Sequence, residues 1–240
     1  MSRMDIVNGL IIVVASALTM SGSSFAGSDG AGGVYAKALT LTPDMENGKE
    51  LYVVCSSCHL QEGWGLQDGT YPQIAGQHRS VLIQQLSDIR AHNRDNPTMY
   101  PFALPEAIGD EHDIADVAGY IESMKMSPDN GKGAWAEGTP EFAQGKQLFA
   151  DNCAQCHGKN GEGDPSKLLP KIQGQHYKYM LRQLEWMREG KRRGVNHSML
   201  TNLNIFTPVK IAHVVNFVSR IPVAKRDVAP SADWKNPDFN

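Results

Sequence analysis

Two five-residue stretches carry the groups most capable of chemistry: Cys55-Ser56-Ser57-Cys58-His59 and Cys153-Ala154-Gln155-Cys156-His157. Together they use all four cysteines of the chain. Cys-x-x-Cys-His is the attachment sequence for haem c. The two thiols add across the vinyl groups of one porphyrin, and the two-residue gap on a helical turn lets one ring reach both. The histidine that follows stands under the iron and offers an imidazole nitrogen as proximal ligand. A single Cys-x-x-Cys also suits a redox pair, and a zinc ribbon gathers four ligands into one knuckle. Here each pair has its own histidine, and the pairs lie 98 residues apart. Two covalently bound haem c groups are expected, one on Cys55, Cys58 and His59, the other on Cys153, Cys156 and His157.

The elements that must position these groups repeat along the chain. Thr42-Pro43 is expected to open a helix, with Thr as N-cap and Pro at the first helical position. Met45, Gly48, Leu51, Tyr52 and Cys55 follow at helical spacing and lead into the first motif. Thr139-Pro140, then Phe142, Gly145, Leu148, Phe149 and Cys153, do the same for the second. Pro72, Gly76-Gln77-His78 and Gln85-Leu86 return as Pro170, Gly174-Gln175-His176 and Gln183-Leu184, all at an offset of 98. Register kept over tens of residues is the mark of duplication. Each copy continues with an amphipathic helix, apolar at Val81, Leu82, Leu86 and Ile89 or at Met180, Leu181, Leu184 and Met187. A polar loop and a last apolar helix complete each copy. No stretch alternates as a strand does, so the expected fold class is all-α.

Composition bounds the rest. A formal charge of −3 over 240 residues gives no reason to expect a nucleic-acid partner. Arg3, an apolar run from Leu10 to Leu18 and Ser24-Phe25-Ala26 make residues 1–26 a secretory signal peptide, too short in its apolar part to span a bilayer comfortably. The expected location is periplasmic, where haem c is attached. The expected segments are a flexible leader at 27–41, domain 1 at 42–126, a linker at 127–138, domain 2 at 139–222 and a tail at 223–240. Domains this small have thin cores, and a covalently held haem supplies the missing apolar mass.

Pro-x-Ile-x-Gly-Gln-His, followed by a helix with Gln-Leu and then Arg90 or Arg188, resembles the dihaem cytochrome c4 family from about Thr42 to Ile221. The resemblance implies two tandem class I cytochrome c domains with His/Met iron ligation. It also implies that the carbonyls of Pro72 and Pro170 accept a hydrogen bond from the proximal imidazole, which fixes ring orientation. The chain departs from the family at Leu60-Gln61-Glu62 and Trp64, in place of a Gly-rich turn, and in its longer leader and tail.

Each iron then needs a sixth ligand, and a thioether raises the potential by favouring ferrous iron. In the second copy the candidates are Met180, Met187, Met199 and His197. Met180 and Met187 lie on an apolar helix face and read as core. Asn96-Pro97-Thr98-Met99 matches Asn196-His197-Ser198-Met199 if two residues are inserted in the second copy. A rigid offset would instead set Met99 against His197. The shared Asn, hydroxyl and Met favour Met99 and Met199. His78 and His176 share a repeat position and read as helix caps or as partners of a haem propionate, the cap being favoured.

The expected function is single-electron transfer between respiratory redox partners, a donor and a terminal oxidase or reductase, with possible docking to a membrane complex and no catalysed bond change. The alternative is a dedicated dihaem subunit of a periplasmic dehydrogenase oxidising a reduced sulfur compound or an alcohol, its leader and tail serving to dock. A dihaem peroxidase needs one iron open to substrate, and a Met offered to each copy argues against it. Charge divides unevenly. Residues 44–126 hold 5 Lys+Arg against 13 Asp+Glu, net −8; residues 141–222 hold 12 against 6, net +6. The basic C-terminal half, with Lys191, Arg192 and Arg193 just before the ligand loop, is expected to meet an acidic partner.

Overall fold

Residues 29–239 are described in the computed structural model, with side chains from Gly33 onward. The expected signal peptide lies outside them. Among the described residues no β-sheet forms; two isolated bridges, Met126 with Val228 and Asp164 with Leu169, are all the strand pairing. The chain is all-α, with two similar helical halves in tandem, as its repeat implies.

Helix α1 (Asp29–Thr40) occupies the stretch expected to be a flexible leader. Its glycines weaken helix propensity, which is why the sequence reads as irregular. Packing overrides that weakness: Ala38 is fully buried, and Val34, Tyr35 and Leu39 sit against the core of the first half. Arg79 then satisfies the carbonyls at and just beyond the end of the helix, donating from Nη2 to Ala38 O (2.8 Å) and Leu41 O (2.7 Å).

In the first half, α2 (Met45–His59), α3 (Arg79–Arg90), the one-turn α4 (Tyr100–Ala103) and α5 (Pro105–Ile108), and α6 (Glu111–Ser123) surround Tyr52, Ile83, Ile114 and Val117. The N-cap of α2 is Asp44, not Thr42: its carboxylate accepts the amides of Glu46 (3.0 Å) and Asn47 (3.2 Å). Pro43 instead packs against Gly119 of α6. In the second half, α7 (Pro140–Asn152), α8 (Ala154–His157), α9 (Tyr177–Arg188), α10 (His197–Asn204) and α11 (Pro208–Val218) surround Phe149, Ile211, Val214 and Val215. Thr139 caps α7 with Pro at the first helical position, as expected, and Thr207 caps α11 in the same way.

The first and last helices of each half cross closely. A Cβ on Gly48 would collide with the backbone of Asp116 on α6, and one on Gly145 with the backbone of His213 on α11. The crossings bring each Cys-x-x-Cys-His segment over the core of its half.

The tail after Pro222 also folds, back onto the first half. Met126 N donates to Asp227 O (2.8 Å) and Ala229 N to Met126 O (2.9 Å). Trp234 stacks on Trp64 with centroids 6.0 Å apart, and Asn236 Nδ2 donates to Gln61 O (3.0 Å). Tyr120 donates its hydroxyl to Asp238 (2.8 Å). Trp64, a departure from the family pattern, is thus covered by a second departure.

Candidate haem site

The proximal side is built the same way twice, with one difference. Helix α2 runs unbroken through Cys55 and Cys58 to His59. In the second half the helix stops at Asn152, and Cys153 caps the one-turn α8 that carries Cys156 and His157. The chain leaves both histidines through a positive φ: Gly158 at 82° and, at the matching position, Leu60 at 66°. His59 and His157 are 5% and 9% exposed. Nδ1 of His59 lies 2.9 Å from Pro72 O, and Nδ1 of His157 lies 3.1 Å from Pro170 O. A carbonyl only accepts, so Nδ1 carries the hydrogen and Nε2 keeps its lone pair. Burial lowers the pKa of both rings, which keeps them neutral and fit to ligate. Burial also pushes the Cys55 and Cys153 thiols up to about 11, unlike the thiolate of a redox pair.

One cavity of about 650 Å³ runs between the halves, with Cys55, Cys58, His59, Cys153 and His157 in its walls. Leu82, Ile89 and Val117 line the first part; Met180, Val214 and Val218 line the second. Met99 and Met199 also face it, as does Met187, whereas His197 is exposed and outside its lining. Paired thiols, an imidazole with a free Nε2, a thioether and apolar walls fit a haem c in each half. No cluster of three or more His, Cys, Asp or Glu suited to a metal ion forms among the described residues.

The methionine segments begin alike. Asn96 Oδ1 accepts Met99 N (3.2 Å), and Asn196 Oδ1 accepts Ser198 N (2.8 Å) as the N-cap of α10. Asn96 O and Asn196 O each receive an amide four residues on, from Tyr100 (2.9 Å) and Leu200 (3.1 Å). The basic residue after each Gln-Leu braces the segment beyond: Arg90 donates to Ala103 O and Gly109 O, and Arg188 to Phe206 O (3.2 Å).

The halves meet through reciprocal pairs that follow the repeat. The side-chain amide of Gln175 takes both backbone groups of Gln73, and that of Gln77 takes both of Lys171, at 2.7–3.1 Å. His78 Nε2 lies 2.7 Å from Glu162 O, and His176 Nε2 lies 2.6 Å from Trp64 O. Neither histidine makes a side-chain cap bond, although each holds the N-cap position of its helix. Sequence reasoning favoured a cap because nothing local names a partner about 100 residues away. The basic run is also placed otherwise than expected. Arg192 turns into the interface, Arg193 pairs with Asp95 of the first half, and Lys191 pairs with Glu189 (2.8 Å). Arg192 and Arg193 thus join the halves, while Lys191 stays exposed and pairs within the second half.

The cytochrome c family model matches residues 45–125 and 142–221, one match per half. Cytochrome c4 of Pseudomonas aeruginosa is 31% identical, over 78% of this chain and 84% of that protein. The thiosulfate dehydrogenase electron acceptor of Stutzerimonas stutzeri is 28% identical, over 71% and 84%. The crystal structure of reduced cytochrome c4 from Pseudomonas stutzeri superposes with a TM-score of 0.64 at 26% identity, covering 75% of this chain and all of that one. The chain belongs to the cytochrome c family and is a cytochrome c4-like dihaem protein with two class I cytochrome c domains in tandem.

Proposed function

We propose that the protein is a periplasmic carrier that passes single electrons between respiratory partners through two covalently bound, His/Met-ligated haems. Electron transfer by a dihaem c-type cytochrome that is not an enzyme follows from family membership; the ligation, the location and the partners are the further step. The observation that carries it is the shared cavity, into which each half turns a buried imidazole and a thioether. Haem supplies the redox change. The chain's part would be to fix the imidazoles through Pro72 and Pro170, to offer the Met99 and Met199 thioethers as further ligands, and to keep water out with Leu82, Val117, Val214 and Val218. Two ligands from the chain on each iron leave outer-sphere transfer as the chemistry.

An acidic partner still suits the second half, though not through Arg192, which is turned into the interface. Lys146, Lys159, Lys178 and Lys210 are exposed and join no ion pair found among the described residues. A second reading, a dedicated electron-accepting subunit for a sulfur-compound dehydrogenase, is supported by the relative named as a thiosulfate dehydrogenase electron acceptor. It does not gain from the leader and tail, which are occupied within this chain. Co-purification with a large catalytic subunit separates the two.

The test is a spectrum of the ferric and ferrous protein with and without carbon monoxide and peroxide. Both haems should be low-spin with the weak sulfur-to-iron charge-transfer band. A high-spin haem that binds peroxide readily overturns the carrier.

A further inference from the structure

The interface holds more positive charge than its hydrogen bonds consume. Arg94 follows α3 and Arg192 follows α9, 98 residues later. Nη1 of Arg94 donates to Gln85 Oε1, and Nη1 of Arg192 to Gln183 Oε1 (2.6 Å). Each then reaches into the other half. Nη2 of Arg94 lies 3.4 Å from Gln183 Oε1, and Nη2 of Arg192 lies 3.2 Å from Gln85 Oε1. Four contacts end on two neutral amide oxygens. The Nε of both guanidiniums is buried without a protein partner, and both side chains line the cavity.

The surroundings balance this charge only in part. Burial, with Arg94 beside it, pulls Arg192 down to about 10. Arg182 of α9 adds a third guanidinium to the cavity wall, its Nε also buried and unpartnered. The Tyr179 hydroxyl lies 3.4 Å from Arg94 Nη2; burial acts to raise its pKa, but the guanidiniums of Arg94, Arg192 and Arg182 lower it on balance, so it answers part of the charge. Of the nearby carboxylates, Asp88 of α3 has its pKa raised by burial against the pull of Arg94 and Arg192, and Asp95 is taken by Arg193. Excess guanidinium in a sheltered place, with N–H groups to spare, is the arrangement that binds carboxylates. A haem carries two.

We propose that Arg94 and Arg192, braced by Gln85 and Gln183, form one carboxylate-binding site shared by both haems, so that each guanidinium sets the potential of both. The proposal rests on the two-haem reading above. A positive charge favours the ferrous over the ferric form, so loss of either guanidinium lowers the potential. The crossed contacts give the sharing: Arg94 is tied to α9 as well as α3, and Arg192 to α3 as well as α9. Two separate clamps, one per half, would act mainly on one haem each.

The experiment is redox titration of the holoprotein, with the two haems resolved by NMR of their methyl groups, for the wild type, Arg94→Gln, Arg94→Lys and Gln85→Glu. A pyridine haemochrome count comes first; a value other than two per chain defeats the two-haem reading itself, apart from the proposal. Arg94→Gln should weaken reduction of both haems about tenfold, or 59 mV for a one-electron couple, with the two shifts within about twofold of each other. Arg94→Lys keeps the charge and should restore most of both. If Arg94→Gln fails to take up haem, Gln85→Glu decides, since an isosteric carboxylate at the guanidiniums neutralises them internally and should lower both potentials. A shift confined to one haem, an equal effect of Lys and Gln at position 94, or no shift in either haem overturns the proposal.

Discussion

His176 Nε2 lies 2.6 Å from the carbonyl oxygen of Trp64, while its Nδ1 accepts the amide of Gly131 at 3.0 Å. Donor and acceptor are thus both assigned, and only the neutral ring satisfies them. The ring is 1% exposed, and burial lowers its pKa. An unfolded histidine takes up a proton near pH 6.5, and the folded one does so at lower pH. Between those values the unfolded state binds more protons, so stability falls as pH falls. Urea denaturation should show the wild type losing stability as pH drops below about 6.5. His176→Gln should be weaker at neutral pH by about 1–3 kcal/mol and lose less on acidification. An unchanged pH slope in the variant would show that His176 stays out of the coupling.

The two ligand readings of the second half separate by substitution. Met199 faces the cavity and His197 faces solvent. Met199→Ala should open one haem to exogenous ligands, lower its potential and remove its charge-transfer band, leaving the other haem unchanged. His197→Ala should leave both spectra alone. Met187→Ala should preserve the spectra and cost about 2 kcal/mol, the low end for a methionine truncation because the side chain is only partly buried. A spectrum altered by His197→Ala and not by Met199→Ala would make the second haem bis-histidine.

Leu60 holds φ 66° and ψ 162°, a region otherwise left to glycine, at the point where its counterpart is Gly158. Such a residue stores about 1–3 kcal/mol of strain, and glycine returns about 0.5–1 kcal/mol as extra freedom of the unfolded chain. Leu60→Gly should therefore raise stability by about 1 kcal/mol, read as a shift of the urea midpoint at constant slope. Gly158→Leu should destabilise, because a Cβ there meets the Glu162 carboxylate as well. A loss of stability in Leu60→Gly would mean that the leucine side chain contributes more than its backbone costs.

What the sequence made legible is what its physics keeps local or periodic. The haem motifs, the helix faces and the proline caps at Thr139 and Thr207 depend on neighbours a few residues away. The side-chain bonds of Asn96 to Met99 N and of Asn196 to Ser198 N are equally local. What it concealed depends on contacts over long separations. Helix α1 exists because Arg79 and the first core receive it, not because its glycines prefer a helix. The Trp64–Trp234 stack joins two departures from the family pattern that have no common local signal. Arg192 and Arg193 read as part of a docking run because a basic run carries no mark of the Gln and Asp it meets across the chain.

The matched pairs Gln77–Lys171 and Gln175–Gln73 give the contact between halves an isologous character, in which the same patch serves on both sides. Such a contact needs no covalent connection to form. A single-half precursor with the glutamine and histidine of this block would pair with itself in the same geometry, at a population set by its concentration. Joining two copies end to end replaces that dependence with a fixed effective concentration. It also frees each copy to drift: one side now keeps Trp64 under its tail, the other keeps Glu162 and a glycine-rich exit. The chain thus retains the contact of a homodimer while its two redox centres are no longer obliged to be alike.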